Sequence, residues 1–328
     1  MFRNWTTQTI RILVGLLFVF SGLIKVNDPH GFAYKLIEYF EVFQQDFSFP
    51  AAFFIESAFG LAALIAVFEC VLGMLLLTGW LRRFTTLSIF GLIVFFTALT
   101  FYSWYFNKVQ DCGCFGDFLH LTPYQSFIKD VVLLVLISYL FLYPSRIRPL
   151  LGNKKTNALL SVVLCASFPI IVLSTLNSGP VVDLLGACVG CDFKAHTENP
   201  NGPKGIKEWI PLDSECAQNG MQGWSVLVVV KQLEDEEPGL YAQLKDTHAS
   251  LDSQKVSFFL TTASLSSVLK PWKEQHKPAY CIARNGGDVL KTIIRNNKGA
   301  LLLKDGVVVE KWVGQVPDAA DIQRLTEQ

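Results

Sequence analysis

Four cysteines stand in two close pairs: Cys112-Gly113-Cys114 inside DCGCFGD, and Cys188-Val189-Gly190-Cys191 further along the chain. Paired thiols at such spacing suit thiol-disulfide chemistry. A bridge from Cys112 to Cys114 closes a very small ring, and Gly113 lets the backbone take the turn it demands. Strain in such a ring makes the bond easier to reduce and a better oxidant of other thiols. The structural alternative is two reduced or separately bonded cysteines in a turn. A CxxC pair such as Cys188 and Cys191 can carry a low-pKa thiol and shuttle electrons. No helix is expected after it, so no helix dipole is expected to aid its thiolate. Its structural alternative is a small loop disulfide. A zinc site would need further ligands from Cys216, His196 or Cys281, and the spacing fits no zinc pattern, so no metal is expected. Cys216 and Cys281 read as a structural bridge.

These pairs must be positioned by two different kinds of chain. Five stretches are long and apolar enough to cross a bilayer: Ile10–Val26, Ala58–Trp80, Leu87–Tyr105, Phe127–Tyr143 and Ala158–Leu176. The first has no small-residue cleavage site after it and reads as retained. The largely apolar stretch Phe49–Phe59 reads as an interfacial lead-in to the second span. Arg3 and Arg11, Arg82 and Arg83, and Arg146, Arg148, Lys154 and Lys155 fall in the N-terminal segment and the loops after the second and fourth spans. The excess of basic residues there marks the cytoplasmic side. The loops with Asp28, Asp111, Asp117 and His120 then face the other side, as does everything after the fifth span. DCGCFGD and the later cysteines thus share one non-cytoplasmic compartment, where disulfides persist. Cys70 and Cys165 fall inside spans.

Charged residues in the apolar half are few and informative. Glu69 lies near the middle of the second span, so it is expected to face the bundle interior, paired or protonated. Lys25 and Asp28 end the first span, and Lys129 and Asp130 begin the fourth. All four are expected near the outer side, gathered beneath the CGC loop. Such a cluster can be a proton path or the polar part of a quinone site. It can equally be hydrogen bonding that fixes the helices. His30 and His120 flank the outer mouth, where either could serve as a base or simply be solvated. No basic face or arginine-rich stretch points to nucleic acid.

After the linker the pattern changes. Strands are expected at Ser225–Lys231, Val256–Thr262, Ala300–Leu303 and Val307–Val313, the last two joined at Asp305-Gly306. Helices are expected at Leu240–Leu251, Ser266–His276, Asp288–Asn297 and Asp318–Gln328. The domain boundaries follow: a four-span membrane domain at 1–150, a fifth span at 151–178, a cysteine-containing linker at 179–223 and an α/β domain at 224–328.

GALLLKDGVVVEKWVG at 299–314 resembles the last hairpin of the thioredoxin fold. Two departures stand out. Where that family carries its CxxC, this chain has Gln232-Leu233-Glu234-Asp235-Glu236. Where it carries a cis-proline, this chain has Gly299. Thioredoxin chemistry at the usual place is therefore not expected. FSGLIKVNDPHGFAYKLIEYF at 20–40, FECVLGMLLLTGW at 68–80 and DCGCFGD resemble the DoxX-like family and, within it, the MauE group. That resemblance implies a four-span bundle of a bacterial inner membrane. It also implies disulfide formation in a periplasmic client, together with a thioredoxin-like partner. A similarity of outline to quinone-linked thiol oxidases implies a quinone acceptor. The expected architecture is a DoxX/MauE-like α-helical membrane bundle with a fifth span, followed by a thioredoxin-like periplasmic domain. Its expected role is thiol-disulfide exchange or electron transfer, with Cys112, Cys114, Cys188 and Cys191 as the reacting groups. The alternative is a non-enzymatic anchor whose soluble domain docks envelope partners.

Overall fold

The computed structural model describes residues 2–109, 113, 115–119, 121–178, 180–199, 206, 222–236, 239–252 and 256–327. The chain forms two compact units, Met1–Val181 and Val182–Gln328.

The first unit is helical. It comprises α1 (Phe2–Asn27), α2 (Pro29–Phe47), α3 (Ala51–Glu56), α4 (Ala58–Thr78), α5 (Arg82–Phe106), α6 (Pro123–Leu142) and α7 (Lys154–Ser178). Five of these, α1, α4, α5, α6 and α7, are long and apolar enough to span a membrane. The boundaries have local causes. Asp28 caps α2 by accepting from the Gly31 N–H at 2.9 Å, with Pro29 in the first turn. Gly79 ends α4 with φ +70°, its N–H bonded to the Leu75 carbonyl. Thr122 and Gln125 form a capping box at the start of α6.

α1 and α4 run antiparallel with their backbones close together. Gly15 lies over Leu77 and the Gly73 carbonyl, and Gly22 lies over Cys70 and the Ala66 carbonyl. Small residues permit this approach, the usual device for packing helices in lipid. Val14, Phe18, Leu72, Leu76, Ile89, Ile93, Leu133 and Ile137 fill the space between α1, α4, α5 and α6.

The basic residues of the loops gather at one end of this bundle. Arg11 donates to the Leu77 carbonyl at 3.1 Å and to the Arg148 carbonyl. Arg82 donates to the Ile147 carbonyl at 2.8 Å, and Gln8 to the Arg146 carbonyl at 2.9 Å. At the opposite end lies α2, which the sequence reading did not anticipate. It starts where α1 stops. Its Tyr39 bonds Ser103 at 3.0 Å, and its Asp46 accepts from Tyr102 and, at 2.8 Å, from Lys108. Both ends of a 19-residue helix, about 28 Å at ~1.5 Å per residue, thus sit at one end of the bundle. α2 lies across that end and does not traverse the bundle. Its alternation of buried Phe32, Ala33, Leu36 and Tyr39 with Lys35, Glu38 and Glu41 fits this placement.

The second unit is α/β. After α8 (Phe193–Glu198) come β1 (Trp224–Val230), α9 (Leu240–Asp252), β2 (Ser257–Thr262), α10 (Ser266–His276), β3 (Cys281–Arg284), α11 (Gly287–Ile293), β4 (Lys298–Lys304), β5 (Val307–Val313) and α12 (Ala319–Thr326). The sheet order is β3-β2-β1-β4-β5. β1 and β2 are parallel, as are β2 and β3, while β4 pairs antiparallel with β1 and β5. β1 is buried almost throughout because both faces are covered. Asp305 and Gly306 both take positive φ, as the two-residue hairpin between β4 and β5 requires.

Three details correct the sequence reading. β3 was not expected, being four residues long with no clear alternation. α11 stops at Ile293, short of the expected Asn297, because Lys298 must already pair with Val230. A short helix, α8, does follow Cys191, capped by Asp192 accepting from the Ala195 N–H at 2.8 Å. Gly299 lies within β4, where a side chain would strike the Trp312 carbonyl and Ile294. No cis peptide occurs among the described residues.

The helix seam can be tested directly. A Cβ at Gly73 would sit 2.8 Å from the Val19 backbone nitrogen and 2.9 Å from the Gly15 carbonyl oxygen, neither of which can rotate away. Gly73→Val is expected to destabilise the bundle by about 1–3 kcal/mol. Gly91→Ala, where nothing lies within 4 Å, is expected to be neutral or mildly stabilising. Thermal unfolding of both full-length variants in detergent reads the difference. Equal midpoints would show that the seam does not need close approach.

Candidate functional site

Each unit holds one candidate site. In the membrane unit the polar residues expected to cluster do so in part. Lys25 Nζ lies 2.6 and 2.9 Å from the two carboxylate oxygens of Glu69, and both side chains are only 3% exposed. α1 brings Ser21 to the pair one turn before Lys25. The Ser21 hydroxyl accepts from Lys25 at 2.9 Å and donates to Glu69 Oε2 at 3.2 Å. The ammonium also faces the rings of Phe32 and Phe96, at 5.2 and 5.7 Å from their centroids. A lone carboxylate here would be costly, so the pairing explains how Glu69 is tolerated.

A second ion pair stands on α6. Lys129 Nζ is 2.8 Å from Asp130 Oδ1, though without the alignment of a hydrogen bond, and Thr100 donates to Oδ2 at 3.0 Å. Asp130 is 1% exposed. Lys129 also stands over the ring of Phe115 at 5.2 Å.

Both pairs line one cavity. Its walls include Ser21, Phe32, Phe96 and Phe115, and it encloses about 460 Å³ when the open mouth is counted. The closed part of it is about 40 Å³. That is room for about three waters, each within reach of several polar partners. Asp28 does not join this group, because its carboxylate is engaged in capping α2.

Cys112, Cys114, Asp111 and His120 lie outside the described residues, as does the side chain of Asp117. Two neighbours of the cysteines are described. Gly113 is buried with φ +65°, and a Cβ on it would meet Lys35 Cγ at 2.8 Å. Glycine is thus required there both by backbone and by space. Phe115, two positions on, is buried in the cavity wall. His30 packs against Phe59 at 5.2 Å.

In the α/β unit, Cys188 and Cys191 are joined by a disulfide. The turn they close has a 2.9 Å bond from the Cys191 N–H to the Cys188 carbonyl, with Gly190 at φ +82°. His196 is held by a 2.7 Å contact from Nδ1 to the Gly186 carbonyl, so Nδ1 carries the proton. Cys281 is also disulfide-bonded. Cys216, the partner expected for it, lies outside the described residues. Cys70 and Cys165 are free thiols. The segment after β1, where a thioredoxin would place its cysteines, is a 3-10 turn at Leu233–Asp235.

The sequence reading missed the contribution of α2 and α5 to the site. Lys35, Phe32 and Phe96 were not singled out, and only the Lys35 spacing on an amphipathic helix offered a signal.

Five spanning helices and a mixed-sheet domain define a multi-pass membrane protein with an α/β C-terminal domain. Its membrane region is MauE-like: residues 3–143 match the family described as methylamine utilisation protein MauE. Protein TlpB of Flavobacterium psychrophilum is 30% identical over 147 residues, which is 44% of this chain and 38% of that protein. The chain therefore spans well under half the length of that relative. No solved structure matches.

Two outcomes follow from these contacts. Lys25→Met leaves Glu69 buried without its partner and is expected to cost about 3–5 kcal/mol, whereas Lys25→Met combined with Glu69→Leu should recover much of the loss. Glu69→Gln should be tolerated better than Glu69→Leu, because Gln still hydrogen-bonds Ser21. Detergent unfolding of the full chain checks both, and a double variant no better than Lys25→Met would contradict the first. A separate outcome concerns pH. Hydrogen bonds from Lys108, then from Tyr102, hold the Asp46 carboxyl below its ordinary value near 3.8. A depressed acid stabilises the folded state above its unfolded pKa and loses that contribution as pH falls through the folded one. Protection of the amides near Tyr102–Lys108, taken relative to their intrinsic exchange, should therefore fall only below about pH 4, and Asp46→Asn should abolish that step. An unchanged acid profile in Asp46→Asn would contradict it.

Proposed function

We propose that the protein catalyses thiol-disulfide exchange at the non-cytoplasmic face of a bacterial inner membrane. Cys112 and Cys114 form the membrane-side redox pair. Cys188 and Cys191 relay electrons to it from the thiols of a periplasmic client. The observation that carries this reading is Phe115, of the CGCFG stretch, walling a cavity lined by one buried ion pair and one half-buried one. The MauE-like region supports the same reading. On it the bundle is DoxX-like and the α/β domain is thioredoxin-like, with its redox pair in the linker and not after β1.

Oxidising two thiols to a disulfide releases two electrons and two protons. Glu69 and Asp130, with Lys25 and Lys129, are suited to hold and pass those protons, since each pair neutralises a charge inside a low-dielectric bundle. A membrane quinone is the proposed electron acceptor. The residues fit it in type: two ammonium donors can meet carbonyl oxygens and the walls are aromatic, while the closed space of about 40 Å³ would have to widen at its mouth to admit a ring. When bound, a quinone would take up the two electrons. Lys25 and Lys129 would orient it, and the phenylalanines would keep water out.

The second reading is a membrane anchor whose α/β domain docks envelope partners. The turn Leu233–Asp235 favours it, since no cysteine stands where the fold would place one.

A trapping experiment separates the two. Cys114→Ser and Cys112→Ser each remove a resolving thiol, so exchange should stop at a mixed disulfide between the remaining cysteine and Cys188 or Cys191. Non-reducing digestion and mass spectrometry of native membranes should find that bond. A membrane-impermeant thiol reagent should label reduced Cys112 from outside the cytoplasm. Labelling from the cytoplasm alone, or free thiols with no mixed disulfide in either variant, would replace exchange with docking.

A further inference from the structure

The disulfide between Cys188 and Cys191 is unsymmetrical in its surroundings. Ala187 and Phe193 are fully buried, and Cys188 is 7% exposed. Cys191 is half-buried, Gly190 is exposed, and Val189, at the tip of the turn, is 57% exposed. The backbone is anchored unequally as well. Gly190 N–H donates to the Val308 carbonyl at 2.7 Å, and Val308 N–H donates to the Cys191 carbonyl at 2.9 Å. Asp192 bridges Val307, and Phe193 N–H reaches the Gly306 carbonyl at 2.9 Å. Cys191 is thus clamped to the β4–β5 hairpin by bonds that do not depend on its sulfur.

We propose that Cys191 Sγ is the sulfur through which exchange enters this pair, and that Cys188 is the leaving and resolving thiol. The inference rests on the thiol-exchange reading above. Attack on a disulfide is governed partly by which sulfur is accessible. An incoming client thiolate forms a bond to Cys191 Sγ. The Cys188–Cys191 bond breaks, and its electron pair stays on Cys188 Sγ, which takes a proton from water. The client's second thiolate then attacks its own mixed-disulfide sulfur, and Cys191 leaves as the thiolate. The client dithiol becomes a disulfide, the pair becomes a dithiol, and two electrons and two protons have moved. In the reverse direction the reduced Cys191 attacks first. Cys188, 7% exposed, is the less accessible of the two to an incoming group.

The experiment uses the full chain in detergent with glutathione disulfide as the probe. Cys188→Ser, which keeps Cys191, should form the glutathione mixed disulfide at least about tenfold faster than Cys191→Ser, which keeps Cys188. The unsubstituted chain gives a second reading that survives any folding defect in the variants. After reduction, limiting iodoacetamide and peptide mass mapping should find Cys191 modified ahead of Cys188. Equal rates, faster reaction at Cys188, or no reaction at either would overturn the assignment. The readout is the choice of sulfur with a small-molecule probe. It is therefore independent of whether Cys112 or Cys114 is ever trapped.

Discussion

A lysine and a glutamate, paired inside a helical bundle, set the terms for the membrane unit. Lys25 and Glu69 belong to different helices, so neither is tolerable unless α1 and α4 are in register. The glycines of the seam make that register reachable. Gly15, Gly22 and Gly73 remove the side chains that would hold the two backbones apart. Ser21 takes up remaining hydrogen-bonding capacity. A one-turn slip of α1 would leave two charges in a medium that solvates neither. The pair thus acts as a registry device, the best attested use of buried ions.

The same pair shapes what surrounds it. Large apolar side chains would normally close such a centre, yet the ammonium needs room and polar company. The result is a small polar cavity ringed by phenylalanines, with Lys129 and Asp130 on its other wall. α2 covers the end of the bundle and supplies Phe32 to this cavity and Lys35 to the packing of Gly113. Phe115 brings the described part of the CGCFG stretch to the wall of the same cavity.

Much of this was legible in the residues. Five apolar runs gave five spanning helices, because hydrophobic length is a near-sufficient signal in a bilayer. The isolated Glu69 announced an interior position, though its partner could not be read from spacing: Lys25 lies on another helix, and long-range pairing leaves no local pattern. α2 escaped notice because it is not apolar enough to span, although Asp28-Pro29 at its start and Ser48 and Pro50 after its end were signals for it. In the α/β unit the long strands were clear from their unbroken Val and Leu runs. β3 was not, since Cys281–Arg284 is short and its strand state is imposed by pairing with β2. The short helix after Cys191 depends on a single Asp192 cap, a cue too common in loops to decide anything alone.

The attachment of residues 190–194 to β5 also bears on how the α/β unit keeps to itself. An open sheet has two edges, and each offers unpaired backbone groups to any passing strand. One edge here, β3, is four residues long, too short to template much. The other, β5, has both backbone groups of Val308 already occupied by the chain's own backbone, and the carbonyl of Gly306 in the turn before it is taken as well. The cysteine turn therefore doubles as a guard against strand-to-strand association. Losing those backbone bonds would return both Val308 groups to the open edge, where another strand could pair with them.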